Sequence, residues 1–247
     1  MKVETFETPQ DAAKALAGEV AELIRTRAAE GKNVVLGLAT GATPLPFYAE
    51  LVRMHKEEGL SFANVISFNL DEYSGLDRDH PESYWYFMHT NLFNHIDIKP
   101  ENINLPSGTV KDDEIAAHCA AYEQKIKDCG GIDLQILGIG RTGHIGFNEP
   151  EEAFELETHV VNLTENTIEA NARFFASKDE VPRKAITMGI KSIMQARHIL
   201  VVVSGADKAD IVKAAFTGPV TPKVPASILQ MHPNVSLVGD AAALSKL

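Results

Sequence analysis

Residues 132–150 read IDLQILGIGRTGHIGFNEP. The apolar run from Leu134 to Leu137 has the composition of a strand buried on both faces. Gly138, Gly140 and Gly143 follow, and together they spell G-x-G-x-x-G, the pattern of a dinucleotide-binding turn. That turn requires its third glycine to enter a helix packed on the strand. Here the next residues are His-Ile-Gly-Phe-Asn-Glu-Pro, and Gly146 and Pro150 both oppose a helix. The stretch therefore predicts a strand running into a ligand-facing loop, and argues against a nicotinamide site. A lone histidine is usually structural. In this loop, however, glycines give a ligand access to the backbone, and His144 and Glu149 are types that move protons near neutral pH.

Working outward, strand-like and helix-like segments alternate along the whole chain. Short β-branched runs occur at Asn33–Leu38, Asn64–Leu70, Ile132–Gly140, His198–Gly205 and Asn234–Asp240, and the chain opens on a further strand. The clearest helix runs from about Pro9 to Glu30. It has Thr8 as N-cap, Pro9 in the first turn, Asp11 at the capping-box position and Gly31 as its stop. Leu16, Val20, Leu23 and Ile24 fall on one face at helical spacing. Further helices are predicted over Pro44–Glu58, Pro81–Asn94, Asp112–Asp128, Thr164–Ala176 and Ala206–Phe216. Apolar strands alternating with helices predict a three-layer α/β fold, a doubly wound, mostly parallel Rossmann-like sheet covered on both faces. No linker, repeat or composition shift divides residues 1–247, so a single domain is expected.

Bulk composition excludes several function classes. The 247 residues are 45% hydrophobic and 23% charged, enough apolar surface for a sizeable core. A net charge of −11 argues against nucleic acid or an anionic membrane as partner. An anionic ligand is still compatible if a few cations converge. The two cysteines, Cys119 and Cys129, match no zinc spacing and form no disulfide scaffold, so no metal site is expected. No run reaches the ~18 apolar residues of a membrane span, and MKVETFETPQ lacks the apolar core of a signal peptide, so a cytoplasmic location is expected.

In open α/β sheets ligands bind beyond the carboxyl ends of the strands, and three such junctions stand out. In LATGATPLPFY, the turn Thr40-Gly41-Ala42-Thr43 precedes a helix start at Pro44. It reads either as an ordinary capping turn or as a phosphate site made of free N–H groups and the positive helix end. In FNLDEYSGLDRDHPESYWYFM, a strand delivers Asp71 and Glu72 to its end. They read either as loop-solvating acids or, if partly buried, as a source of general base. The aromatics Tyr84, Trp85, Tyr86 and Phe87 read as core and lid packing. The third junction is the glycine-histidine loop. Arg173 and Lys208, the latter at a helix start after VVVSG, are ordinary surface cations unless they converge with the Thr40–Thr43 turn on an anion.

LGLATGATP, FNLDEY, HPESYWYFM, GHIGFNEP, NARFF and ILQMHP, in this order and nearly end to end, resemble the glucosamine-6-phosphate deaminases. The related 6-phosphogluconolactonases share the glycine-histidine loop but lack its Asn-Glu-Pro ending. The resemblance implies conversion of glucosamine 6-phosphate and water to fructose 6-phosphate and ammonia, without metal or organic cofactor. It further implies ring opening by His144 with Glu149 orienting it, proton transfer from C2 to C1 by Asp71, and phosphate binding by Thr40, Gly41, Ala42, Thr43, Arg173 and Lys208. Self-association as monomer, dimer or hexamer is left open.

Two positions depart from the family pattern. Many members carry aspartate, and others asparagine, two residues before the histidine. This chain has Thr142, which can bond the imidazole but cannot stabilise its cation by charge, so ring opening is expected to lean on Glu149. Ala42 stands where glycine is common, and its N–H can serve only at negative φ. Members regulated by N-acetylglucosamine 6-phosphate have a longer tail than VSLVGDAAALSKL, so an unregulated enzyme is expected. Rival readings are a non-catalytic sugar-phosphate sensor and another sugar-phosphate isomerase or lactonase. The sensor is disfavoured by the acidic charge, the absence of a preceding helix-turn-helix and the presence of Asp71, His144 and Glu149.

Overall fold

The computed structural model describes residues 1–247, except for the side chains of Asn166 and Ala170. In chain order the elements are β1 (Lys2–Phe6), α1 (Pro9–Ala29), β2 (Val34–Leu38), α2 (Leu45–Glu58), β3 (Val65–Asn69), β4 (Asp71–Ser74), α3 (Tyr84–Asn91), β5 (Ile103–Asn104), α4 (Ile115–Asp128), β6 (Leu134–Gly138), β7 (His159–Asn162), α5 (Glu165–Asn171), β8 (Lys184–Thr187), α6 (Ile190–Met194), β9 (His198–Val203), α7 (Ala209–Thr217) and β10 (Val235–Asp240). α1 starts as its sequence dictates. Thr8 is extended, and its hydroxyl accepts from Asp11 N–H at 3.1 Å while donating to the Asp11 carboxylate at 2.6 Å. Leu16, Val20 and Ile24 are buried on one face, each worth about 1.5–3 kcal/mol against exposure.

Strands β1, β10, β9, β6, β2, β3 and β5 lie in that order in one parallel sheet. Alternation along each strand builds two cores. Val34, Leu36 and Leu38 of β2, with Leu134 and Ile136 of β6, pack towards α1 and α2. Val35, Leu137, Ile199 and Val201 face the opposite layer with Tyr122, Ile193 and Val212, from α4, α6 and α7. The three-layer, doubly wound expectation therefore holds. From β2 the chain winds outward through β3 to β5, then returns to place β6 on the other side of β2. The winding thus reverses between β2 and β6, which is where such sheets open a crevice at their carboxyl ends.

A second sheet was not foreseen. β4, β8 and β7 pair antiparallel, Asp71 opposite Thr187 and Thr187 opposite His159. Its strands are only four residues long, and Asp and Glu are poor strand formers, so DEYS reads as loop until its partner is known. Leu70 joins the two sheets: its N–H donates to Leu38 O at 3.0 Å, and its carbonyl accepts from Met188 N–H at 2.7 Å.

Several expected boundaries also move. The helix expected over Pro81–Asn94 begins only at Tyr84, because Ser83 caps it through Tyr86 N–H, and it ends at Asn91 before a 3₁₀ turn at Phe93–His95. The one expected at Asp112 begins at Ile115, and that expected over Thr164–Ala176 stops at Asn171, continuing as the 3₁₀ turn Ala172–Phe174. α2 begins one residue late, with Pro44 as its cap. Ala206–Lys208 is a 3₁₀ turn leading into α7. Among the described residues no helix is long and apolar enough to cross a membrane.

Candidate active site

The crevice at the winding reversal is a cavity of about 750 Å³, within the size range of small-molecule sites. Residues following β2, β3, β6 and β9 line it. Thr40, Gly41, Ala42, Thr43, Asp71, Thr142, His144, Arg173 and Lys208 all reach this one space, although they come from widely separated parts of the chain. Glu149 stands behind His144 and does not line the cavity.

Part of the cavity lining is suited to an anion. Among the described residues, the N–H groups of Gly41, Ala42 and Thr43 donate no hydrogen bond. Among the described residues no non-glycine has positive φ, so Ala42 keeps the backbone its N–H needs, while Gly41 takes φ +100°. Lys208 enters from beyond β9. Its turn is held down by Asp240, which accepts from Ser204 Oγ at 2.7 Å and from Gly205 N–H at 2.9 Å. Lys208 Nζ donates to Ile139 O at 2.8 Å. Burial holds this ammonium below the ordinary lysine value, opposed by Asp207 and reinforced by the Arg141 cation. Arg173 is exposed at the rim, its guanidinium 4.6 Å over the Phe174 ring.

The same cavity also holds the proton-transfer groups. His144 Nδ1 lies 3.0 Å from Glu149 Oε1 and 2.9 Å from Thr142 Oγ1. Thr142 also donates to Glu149 Oε2 at 2.8 Å, and Thr167 Oγ1 donates to Glu149 Oε1. Burial works against the Glu149 carboxylate, but the His144 ring and then the Thr167 and Thr142 hydroxyls outweigh it, leaving the group below the usual glutamate value. The glycines shape the loop as the sequence requires. Gly143 sits at φ +84°, and a Cβ on Gly140 would lie 1.9 Å from His144 Nε2, so only glycine leaves room for the ring.

Asp71 and Glu72 are both buried, so neither is a loop-solvating acid. Glu72 instead anchors the start of α3. Its oxygens accept from Tyr73 N–H at 2.8 Å, Tyr84 N–H at 2.9 Å and Trp85 N–H at 2.9 Å, a carboxylate at the positive end of a helix. Asp71, the first residue of β4, points to the glycine-histidine loop: a Cβ on Gly146 would lie 3.6 Å from its Oδ2. Burial, followed by the Glu72 charge, pushes the Asp71 carboxyl up to about 8.

Sequence reasoning missed Tyr84 and Thr167, both of which line the cavity. Tyr84 is packed by Tyr73 at 4.9 Å and Phe147 at 6.1 Å and also forms cavity wall; Trp85 and Phe87 pack on the core as expected, whereas Tyr86 is exposed. Thr167 carried one signal, its position three residues after a capping threonine, and that signal does not reveal its contact with Glu149. Among the described residues no cluster of three or more His, Cys, Asp or Glu could hold a metal ion.

Comparison with known proteins gives a consistent picture. The family model described as glucosamine-6-phosphate isomerases/6-phosphogluconolactonase matches residues 7–237. The glucosamine-6-phosphate deaminase of Thermoanaerobacter pseudethanolicus is 54% identical over 92% of this chain and 89% of its own. That of Clostridium perfringens is 52% identical over 96% of each. A solved structure, described as a monomeric glucosamine-6-phosphate deaminase, superposes over 100% of both chains with a TM-score of 0.94 at 44% identity.

Proposed function

Because the chain belongs to the glucosamine-6-phosphate isomerase/6-phosphogluconolactonase family, we infer that it converts glucosamine 6-phosphate and water to fructose 6-phosphate and ammonia. The observation that carries this reading is the pairing, in one cavity, of a buried carboxyl raised to about 8 with an imidazole backed by a glutamate. A carbon acid next to an aldehyde needs a base of that kind, whereas lactone hydrolysis requires no base at C2. The relatives at 52–54% identity over nine-tenths of both chains bear the deaminase name, which supports the same choice within the family.

In the proposed course, the phosphate is held by the N–H groups of Gly41, Ala42 and Thr43, the Thr40 and Thr43 hydroxyls, Lys208 and Arg173. Binding energy at this remote group orients C1 and C2. His144 passes a proton between the anomeric hydroxyl and the ring oxygen, which opens the ring and exposes the aldehyde. Glu149 and Thr142 hold the imidazole for this step. The Asp71 carboxylate takes the proton from C2 while O1 takes one from the substrate ammonium, giving an enolamine, and the carboxylic acid so formed returns a proton to C1. Water adds to the resulting C2 imine, and ammonia leaves as the ketone forms.

The test is ammonia release from glucosamine 6-phosphate by the purified protein, with fructose 6-phosphate appearing in equal amount. Hydrolysis of 6-phosphogluconolactone without ammonia release from the amino sugar would assign the lactonase activity instead. A sugar phosphate as substrate fits a cytoplasmic location, and the monomeric state ascribed to the solved relative is the assembly we propose, testable by light scattering.

A further inference from the structure

Glu149 is gripped at both oxygens by hydroxyls from different parts of the chain, Thr142 on Oε2 and Thr167 on Oε1. A threonine hydroxyl has one proton to give. Thr142 gives its proton to Glu149, so the 2.9 Å contact between Thr142 Oγ1 and His144 Nδ1 needs the ring nitrogen as donor. The 3.0 Å contact of Nδ1 with Glu149 Oε1 makes the same demand. Nδ1 thus faces two acceptors, and its proton is fixed there. Nε2 is left with its lone pair on the opposite side of the ring, against Gly140 at the cavity wall.

Thr167 is itself set by its element. It is buried, and Thr164, the cap of α5, donates to Thr167 Oγ1 at 3.1 Å, leaving the Thr167 proton for Glu149. The other charged groups sharing the cavity with the ring are Asp71, Lys208, Arg141, Arg173 and Glu169. Among the described residues Glu149 is the charged partner of Nδ1.

We propose that Thr142 and Thr167 form a two-sided hydroxyl clamp on Glu149 that holds His144 as the Nδ1–H tautomer, with Thr167 a positioning residue supplied by α5. The clamp explains how a chain with threonine in place of a carboxylate beside the histidine still presents Nε2 in one protonation pattern. Its kinetic consequence rests on the role given to His144 above; its spectroscopic consequence does not.

Two variants test it. Thr167→Val keeps the shape and removes the donor, and Thr167→Ser keeps the donor. In nitrogen-15 NMR of histidine-labelled protein, His144 is the Nδ1–H tautomer in the native protein and in Thr167→Ser, and a mixture of tautomers in Thr167→Val. The kcat for ammonia release falls about ten- to hundredfold in Thr167→Val with KM within about twofold, and Thr167→Ser recovers most of it. An unchanged His144 spectrum in Thr167→Val overturns the clamp. So does a Thr167→Ser variant as impaired as the valine, which would assign the role to methyl packing. If the native protein releases no ammonia, the deaminase reading fails, and the spectra still decide the clamp.

Discussion

Asp71 and Glu149 are each 6% exposed and belong to one site, yet their environments push them in opposite directions. Glu149 receives two hydroxyl donors and an imidazole, which together outweigh its burial. The Asp71 carboxyl is influenced by burial and by the like charge of Glu72, and both raise it. Glu149 is less deeply enclosed and has the His144 ring and two hydroxyls on its oxygens, whereas Asp71 is fully enclosed beside a like charge, so the two shifts take opposite signs. An anchored carboxylate is fit to hold a ring in place, and a carboxyl without donors is fit to exchange a proton with carbon. Pairs of acids driven apart in this way mark a division of labour between positioning and proton transfer.

The comparison is broken most directly at Asp71. Asp71→Asn keeps the shape and removes the base, and kcat for ammonia release falls about 10³-fold or more, with KM within a few fold. Exchange of the C2 hydrogen with solvent deuterium disappears in the same variant. A variant retaining a tenth of native turnover would remove Asp71 from the mechanism. Glu149→Gln has a smaller effect. The amide offers a donor where His144 Nδ1 needs an acceptor, and turnover of the ring-closed sugar drops about ten- to hundredfold. Unchanged turnover would show that Glu149 does not set the ring. The third consequence is a pH profile. Asp71 must lose its proton to act, so kcat/KM of the native protein rises about tenfold per pH unit below a midpoint near 8 and levels above it. A midpoint below 6 would place the raised carboxyl outside the rate law.

The sequence alone carried most of the large-scale order. Alternating apolar strands and helices foretold the parallel sheet, and the rule for carboxyl ends located the cavity before any coordinates. Gly146 and Pro150 were enough to set aside the dinucleotide pattern, because a helix cannot start through them. The antiparallel sheet was illegible for a physical reason. DEYS becomes a strand through pairing with residues 184–187, more than a hundred positions away, against the local preference of its acids. Thr167 was hidden over a shorter span of 18 residues, because its hydroxyl meets Glu149 across a fold contact that no local pattern encodes. Glu72 was hidden differently. An acid beside an acid reads as solvated surface until a helix start is found to take its charge.

The smallest expected effect is on stability, and it separates the two acids without reference to turnover. The raised Asp71 value means that the folded protein keeps a proton the unfolded chain releases near 4. Between about 4 and 8 the folded state therefore binds more protons than the unfolded, and this group's contribution to stability falls as pH rises through that window. Glu149 behaves in the opposite sense: its lowered value contributes stability above the unfolded glutamate value, and that contribution is lost as pH falls. Asp71→Asn removes a charge that the fold disfavours, so at pH 8.5 the variant melts about 2–4 °C above the native protein, the shift expected from ~1 kcal/mol at this chain length. At pH 4 the two melt together, because the native carboxyl is then already neutral. Glu149→Gln at pH 8.5 melts below the native protein, since an amide replaces one of the two charged oxygens that accept from Thr142, Thr167 and His144 Nδ1, without relieving a raised carboxyl. Equal melting temperatures for Asp71→Asn and the native protein at pH 8.5 would mean that the burial of Asp71 costs the fold nothing, and the contrast between the two carboxyls would lose its physical basis.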